Sequence, residues 1–337
     1  MRIALDAMGG DLGSELLIDG ALLAIDKRRD LEVVLLGPEN LLKEQVAQRS
    51  GSGNGTGRLS IAHAPQTVSM NEPPVDAVRK KKDSTVMVGF DLVKTGQADA
   101  MVSAGNSGAT MAAAVRKLGR LKGISRPGIA SLFPTLKDPV MLMDIGANVD
   151  CRPQHLFQFA IMASSCSGLL LNKDRPRIGL LSIGEESGKG NSLVKETHDL
   201  LKASSLNFIG NVEGCDVYKG DVDVIVCDGF VGNISLKISE GLAEAAMQML
   251  KIEIMKSLRA KIGYLFIRKA FANFRKRVDY AEYGGAPLLG INGIGIICHG
   301  SSSSVAICNA IGEAANMVEK RVNDSISRSL QQYAVKV

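Results

Sequence analysis

Six short segments of this chain concentrate residue types that hold anions. They are Asp6–Asp11 (DAMGGD), Ser103–Thr110 (SAGNSGAT), Asp144–Asp150 (DIGANVD), Gly184–Asn191 (GEESGKGN), Asp228–Lys237 (DGFVGNISLK) and Gly284–Gly290 (GGAPLLG). Each sets glycines, whose backbone a ligand can approach closely, beside polar or charged side chains or in a tight turn. One such turn signals little. Their recurrence after successive predicted strands describes a cleft lined with backbone N–H groups and small polar side chains, which suits phosphate or another oxyanion. Lys189 is a lone cation in one of these turns and reads as an anion contact or as a solvent-facing lysine. Asp6, Asp11, Asp144, Asp150 and Asp228 either gather a metal or cap the turns and helices that follow them.

Other chemistries fit less well. Gly184–Gly190 has too few residues between its glycines for a P-loop, and Gly190 takes the place of the Mg-binding hydroxyl. No GxGxxG follows the first strand, so a dinucleotide site is not expected. The four His show no zinc spacing. The six Cys are widely separated without a CxxC pair, which suits a reducing cytoplasm. Cys151 or Cys227 could serve a thioester-handling enzyme as nucleophile, although neither has a sequence-visible His partner. His63, at a strand end, reads equally as an acid–base group or as structural. Aromatics are only 4% of the chain, too sparse for a nucleic-acid stacking platform.

The elements that must position these loops alternate. Strands are predicted at Arg2–Leu5, Glu32–Leu36, Arg58–Ala62, Asp99–Ser103, Val140–Asp144, Arg177–Ser182, Asp223–Cys227 and Gly293–Cys298. Helices are predicted at Leu16–Arg28, Ser84–Thr95, Gly108–Leu118, Leu156–Leu171, Ser192–Ala203 and Ser302–Lys320. That alternation predicts an α/β fold with a largely parallel sheet between helical layers. The strands are apolar on both faces, as such burial requires. The 337 residues read as one α/β/α domain with an inserted helical arm over 236–283. Ser50–Gly57 reads as a flexible surface loop. Residues 153–172 and 284–312 carry no formal charge, but polar residues or Gly and Ser interrupt both. Spanning a bilayer takes about 20 predominantly apolar residues, so the first is expected to be a buried helix and neither to cross a membrane. No apolar signal-peptide region follows Met1.

Charge concentrates in 251–277, where nine basic residues stand against the single acid Glu253 while the whole chain carries only +5. Tyr264, Phe266, Phe271 and Phe274 lie among them. Basic heads beside bulky apolar groups suit an anionic membrane surface, and a dimerising helical hairpin suits the same pattern. Gly263 within this window predicts a helix–turn–helix with its tip near 262–267.

Taken together, the six segments resemble the bacterial phosphate acyltransferase family, the acyl-carrier-protein:phosphate acyltransferases of phospholipid synthesis. They occur in order over almost the whole chain. The resemblance implies a three-layer α/β/α fold like that of isopropylmalate dehydrogenase and phosphotransacetylase, with a protruding helical hairpin, assembled as a homodimer. It implies transfer of a fatty acyl group from acyl carrier protein to inorganic phosphate, with no cofactor, metal or nucleic acid. A downstream membrane acyltransferase would consume the acyl phosphate, and the setting would be cytoplasmic with peripheral membrane attachment. Carried over residue by residue, Lys189 and Asn233 are the catalytic positions. Ser103, Gly105, Asn106, Ser107, Asp144 and Asn148 form the phosphate side, with Ser107 where the family commonly has Thr. Arg259, Lys261, Tyr264, Phe266, Arg268 and Lys269 become the membrane or carrier-protein contact, and Arg79–Lys82 offers another docking patch. The stretch 284–312 is expected to help line an acyl pocket. An acyl-CoA-using phosphotransacetylase, a metal-dependent decarboxylating dehydrogenase and a membrane-surface ligand-binding scaffold are the competing readings.

Overall fold

The structure is a computed structural model that describes residues 1–49, 56–278 and 284–334. Most of the Ser50–Gly57 loop and the end of the expected arm, 279–283, lie outside the described residues. The first half of the chain runs β1 (Arg2–Asp6), α1 (Ser14–Lys27), β2 (Glu32–Gly37), α2 (Glu39–Arg49), β3 (Leu59–His63), α3 (Pro74–Lys80), α4 (Thr85–Lys94), β4 (Ala100–Ser103) and α5 (Ser107–Leu118). Then come β5 (Gly128–Phe133), β6 (Val140–Met143), α6 (Pro153–Leu170), β7 (Ile178–Leu181), α7 (Ser192–Ala203), β8 (Phe208–Val212) and β9 (Val224–Val226). The long helices α8 (Gly229–Met255) and α9 (Leu258–Val278) precede β10 (Ala286–Leu289), β11 (Ile294–Ile297), α10 (Ser304–Glu319) and α11 (Val322–Ala334).

All the strands join one sheet in the order β3-β2-β1-β4-β11-β10-β5-β6-β9-β7-β8. The expected α/β/α layering holds. On one face α1, α6, α10 and α11 cover a cluster containing Ile3, Leu5, Phe159 and Ile311; on the other, α3, α4 and α5 cover one containing Met87, Phe90 and Leu142. The charge-free stretch at 153–172 is the buried helix α6.

Largely parallel is correct within two blocks, which run in opposite directions. Strands β3, β2, β1, β4 and β11 are mutually parallel, as are β6, β9, β7 and β8. Between them β10 is antiparallel to both its neighbours, and β5 is antiparallel to β6. The stagger of β10 matters most. Ala286 and Pro287 pair with Ile297 and Ile296 of β11, whereas Leu288 and Leu289 pair with Ile129 and Gly128 of β5. The carboxyl ends of β11 and β6 therefore come to nearly the same level of the sheet, with only the short strands β10 and β5 between them. Loops from the ends of two oppositely directed blocks thereby share one cleft.

Two local expectations change. Gly284–Gly290 is not simply a loop, because its centre is β10. Proline inside a central strand normally argues against that assignment, since it cannot donate to the ladder. Here Pro287 pairs only with β11, and pairing with β5 starts at Leu288. The turn of the arm lies at Lys256–Ser257, not near 262–267, and α9 continues through Gly263. A helical Gly costs only about 1 kcal/mol relative to Ala, too little to break a run of good helix formers. Only Gly229 and Gly232 of α8 are buried, so most of the arm stands clear of the body.

Candidate functional site

A cleft of about 210 Å³ opens at the junction of the two blocks. From the first block it is lined by Ser107, Ile297, His299 and Ser302; from the second by Ile145, Asn233 and Lys237; and Ile129 of β5 lies between them. Leu236, Ala286 and Ala306 extend its apolar wall, and Glu240 sits beside Lys237 with an ion pair of 2.8 Å. Gly285, Ala286, Ile297, Cys298, His299, Ser302 and Ala306 all belong to the charge-free stretch 284–312, which does line a cavity.

The loop after β4 is pinned from beneath. Buried Asp6 accepts the Ser103 hydroxyl at 2.8 Å and the Met8 N–H at 3.1 Å, and Ser103 Oγ accepts the Gly105 N–H at 3.1 Å. Burial raises the pKa of Asp6 against these donors. Gly105 packs so tightly that an added Cβ would stand 3.3 Å from both Asp6 Oδ2 and Ser103 Oγ. Asn106 caps α5, its Oδ1 accepting the Ala109 N–H at 3.0 Å. Its Nδ2 donates to the carbonyls of Met70 and Glu72, both at 3.0 Å. Ser103, Gly105 and Asn106 are thus engaged in building the loop. Ser107, the first residue of α5, is exposed to the cleft. Its N–H and that of Gly108 have no acceptor among the described residues. A helix N-terminus under a neutral cap favours an anion through its free N–H groups and its dipole.

The opposite wall is built around Asp144. Its carboxylate is buried and accepts from the N–H groups of Ile129 (3.0 Å), Ala147 (3.2 Å) and Asn148 (2.7 Å), and from Asn148 Nδ2 (3.0 Å). Burial nevertheless raises its pKa. Asn148 Nδ2 also donates to the Pro127 carbonyl at 2.8 Å. Both residues lie beneath the surface as scaffold. Against this loop rests the first turn of α8: Asp228 caps it through Phe230 N–H (3.0 Å) and Val231 N–H (2.9 Å), and Gly229 N–H donates to the Asn148 carbonyl at 2.8 Å. Asn233 follows on the exposed face, beside Gly146.

Lys189 sits in the exposed turn after β7, outside the lining of the cleft, and its ammonium has no ion pair among the described residues. His63 belongs to the edge strand β3, where Nδ1 accepts the Glu39 N–H at 3.2 Å. Lys81 pairs with Glu72 at 2.5 Å and donates to the Thr67 carbonyl, bracing the segment that holds Asn106. Burial raises the Cys151 thiol to about 11 and lifts Cys227 well above its ordinary value, aided by the nearby Asp144 and Asp228 carboxylates. Such thiols stay protonated at neutral pH and are poor nucleophiles. No group of three or more His, Cys, Asp or Glu among the described residues could hold a metal ion.

His299 and Ser302 fall within the stretch 284–312 and Lys237 within Asp228–Lys237, but the sequence reading singles out none of them individually, and Glu240 lies outside both segments. A signal existed for His299 and Ser302, which follow the predicted strand Gly293–Cys298, as five of the six singled-out segments follow theirs. The arm carries Leu258, Leu265 and Phe266 exposed, Phe266 at 84%, among Arg259, Lys261, Arg268 and Lys269. Tyr264 packs edge-on against Phe271. No helix of the described residues is long and apolar enough to cross a membrane.

Comparison with known proteins adds a sequence match over the whole fold. A family described as "Fatty acid synthesis protein" matches residues 1–325. The chain is 53% identical over 332 residues to a phosphate acyltransferase from Geotalea uraniireducens, covering 98% of this chain and 95% of the relative. It is 52% identical over 331 residues to a phosphate acyltransferase from Geobacter sulfurreducens, covering 98% and 94%. A phosphotransacetylase from Staphylococcus aureus shares the fold with a TM-score of 0.62 at 19% identity, with 94% of each chain covered. One from Streptococcus pyogenes gives 0.59 at 18% identity, covering 98% of this chain and 94% of that one.

Proposed function

Because the chain belongs to the bacterial phosphate acyltransferases, within the fatty acid synthesis protein family, we propose that it takes a fatty acyl group from the thioester of acyl carrier protein and delivers it to inorganic phosphate as acyl phosphate. The acyltransferase activity itself comes with the family. The observation that carries the finer reading is the uncovered N-terminus of α5, with the Ser107 hydroxyl, opening on the cleft that Asn233 faces from the other block.

In this reading phosphate docks on the N–H groups of Ser107 and Gly108, held by a turn that Ser103, Gly105 and Asn106 shape. Asp144 and Asn148 act from beneath, by fixing the wall on which α8 rests. Phosphate is already a nucleophile, so the protein needs only to place it and stabilise the oxyanion. A phosphate oxygen attacks the thioester carbon, the C–O bond forms, and the C–S bond breaks with its electron pair moving to sulfur. The proton of hydrogen phosphate ends on the released thiol. Asn233 donates its amide N–H to the carbonyl oxygen as charge develops, and Lys189 draws phosphate toward the cleft. With both thiols held protonated, no acyl-cysteine is formed. Cys151→Ser is therefore expected to keep near-native turnover, and isolation of an acyl-enzyme at Cys151 would contradict direct attack.

The test incubates the protein with palmitoyl-acyl carrier protein, with and without phosphate, and traps acyl phosphate with hydroxylamine. Phosphate-dependent hydroxamate from the carrier-protein thioester and not from palmitoyl-CoA is expected. Product from the CoA ester alone would transfer the assignment to a phosphotransacetylase-type reaction.

The arm is assigned to peripheral membrane attachment and to the homodimer contact, near the downstream membrane acyltransferase that would consume the product. Each basic residue close to an anionic surface contributes about 1 kcal/mol, and the bare apolar side chains add burial. Leu258→Glu with Phe266→Glu is expected to abolish co-sedimentation with anionic vesicles while acyl transfer in solution persists. Native co-sedimentation by that variant would remove the membrane role. A salt-sensitive KM for carrier protein without vesicle binding would assign the arm to docking instead.

A further inference from the structure

We infer that Lys237 is the cation that holds inorganic phosphate in the cleft, and that Glu240 is the acid competing with phosphate for it. What the phosphate then attacks rests on the acyl-transfer reading above; the anion site itself is argued from the seating of α8.

That seating places Lys237 independently of the outline of the cleft. Gly232 lies so close to the Asp144 loop that a Cβ there would overlap the Asp144 carbonyl oxygen. Leu236, four residues on, packs against the apolar cluster that contains Ile145 and Ile297. These two contacts fix the rotation of the helix about its axis. Residues 233, 236, 237 and 240 then share one face, by their i, i+3, i+4 and i+7 spacing. Asn233 begins that face with its side chain over Gly146, where an added Cβ would stand 3.5 Å from Asn233 Cβ, Cγ and Oδ1. Lys237 stands one turn further along, its Cβ about 5–6 Å from that of Asn233. All four residues line the cleft.

The charges on the two sides are complementary to an anion between them. Across the cleft, the first turns of α5 and α10 contribute Ser107 and Ala306, and helix N-termini carry partial positive charge. On the facing wall, Lys237 is the only Lys or Arg among the described residues that line the cleft. Its ammonium donates to Glu240 Oε2 at 2.8 Å, with the lysine side chain 53% exposed and the glutamate 18%. An ammonium has three N–H donors, so two remain for phosphate oxygens. Glu240 compensates the lysine while the cleft is empty and repels the anion once it enters. As a helix staple alone, this i, i+3 pair would contribute little, and its two partners would matter alike. During attack phosphate passes charge to the thioester carbonyl. Lys237 therefore holds the ground state at least as well as the transition state, and acts on KM rather than kcat.

The experiment first follows the melting temperature of the wild-type chain, Lys237→Ala, Lys237→Arg and Glu240→Gln against inorganic phosphate at constant ionic strength. This yields an apparent Kd with no thioester present. Lys237→Ala is expected to weaken phosphate at least about 10-fold, as loss of a charge-assisted hydrogen bond does. Lys237→Arg keeps the charge and is expected to retain most of the affinity. Glu240→Gln removes the competitor and is expected to tighten phosphate by about 3-fold. The hydroxamate assay is then run on palmitoyl-acyl carrier protein and palmitoyl-CoA, and the KM for phosphate should follow these Kd values while kcat changes less. This pattern of binding without product from either thioester would support Lys237 and remove acyl transfer. No phosphate-dependent shift in the wild type, an unchanged Kd in Lys237→Ala, or weakening in Glu240→Gln like that in Lys237→Ala would overturn the assignment.

Discussion

Gly232→Ala is expected to cost acyl transfer at least about 10²-fold and to lower the melting temperature, although position 232 touches no substrate. A Cβ at Gly232 would overlap the Asp144 carbonyl oxygen, with the Asp144 carbonyl carbon at 2.9 Å and Cys227 Sγ at 3.0 Å. The obstacle is backbone, and that backbone is locked by the four donors on the Asp144 carboxylate and by Cys227 N–H bonding to the Met143 carbonyl at 2.9 Å. The wall cannot recede, so α8 must lift. Overpacking of this kind typically costs about 1–3 kcal/mol. The larger loss is functional, because Asn233 is the next residue and moves with the helix. Gly241→Ala provides the contrast, as nothing lies within 4 Å of a Cβ there. Relieved of a helical glycine, that variant is expected to gain up to about 1 kcal/mol and keep its rate. Equal behaviour of the two variants in thermal melts and in kcat would show that close seating of α8 on the Asp144 loop does not matter.

The motif DGFVGN is physically explained by that seating. Asp228 caps, Gly229 and Gly232 permit approach, and Asn233 is what the approach delivers. Residue types disclosed the loops because glycine, capping carboxylates and amides are local requirements that any turn or helix start imposes. The division of labour within each loop was hidden. Ser103, Asn106, Asp144 and Asn148 have the same chemistry as Ser107 and Asn233, but they spend it on one another and on backbone. Only the fold separates side chains that build the cleft from those that face it. The same limit applies to architecture. Parallel strands such as Glu32–Leu36 and Val140–Met143 are apolar runs legible from composition alone. Besides β8, strands β5 and β10 were missed, the first following Pro127 and the second containing Pro287. They are the strands that reverse the sheet and bring the two blocks' loops together, and their pairing depends on a register no local pattern encodes. His299 lies in the stretch 284–312 that was expected to line a pocket, but it was not singled out, for a related reason. Its strand was predicted, but its place in the cleft depends on β11 lying between β4 and β10.

The cleft's two walls should also separate kinetically. Asn233→Ala is expected to lower kcat by about 10²–10³, the usual cost of removing one oxyanion donor, and to leave the KM for phosphate nearly unchanged. Asn233→Asp keeps the shape but sets a carboxylate against both phosphate and the developing oxyanion, so it should be slower still. Lys189 stands apart on the turn after β7, beyond the cleft lining and exposed. In the proposed reading its charge acts on phosphate before bonding changes, so Lys189→Ala should raise the KM for phosphate more than it lowers kcat, and the loss should shrink as salt screens the wild-type attraction. If the residues serve successive events, the double variant loses the product of the two single losses in kcat/KM. A double variant no worse than Asn233→Ala would instead mean that both side chains hold one bound group, placing Lys189 at the reacting centre. Near-native turnover in both single variants would remove the oxyanion from this cleft altogether.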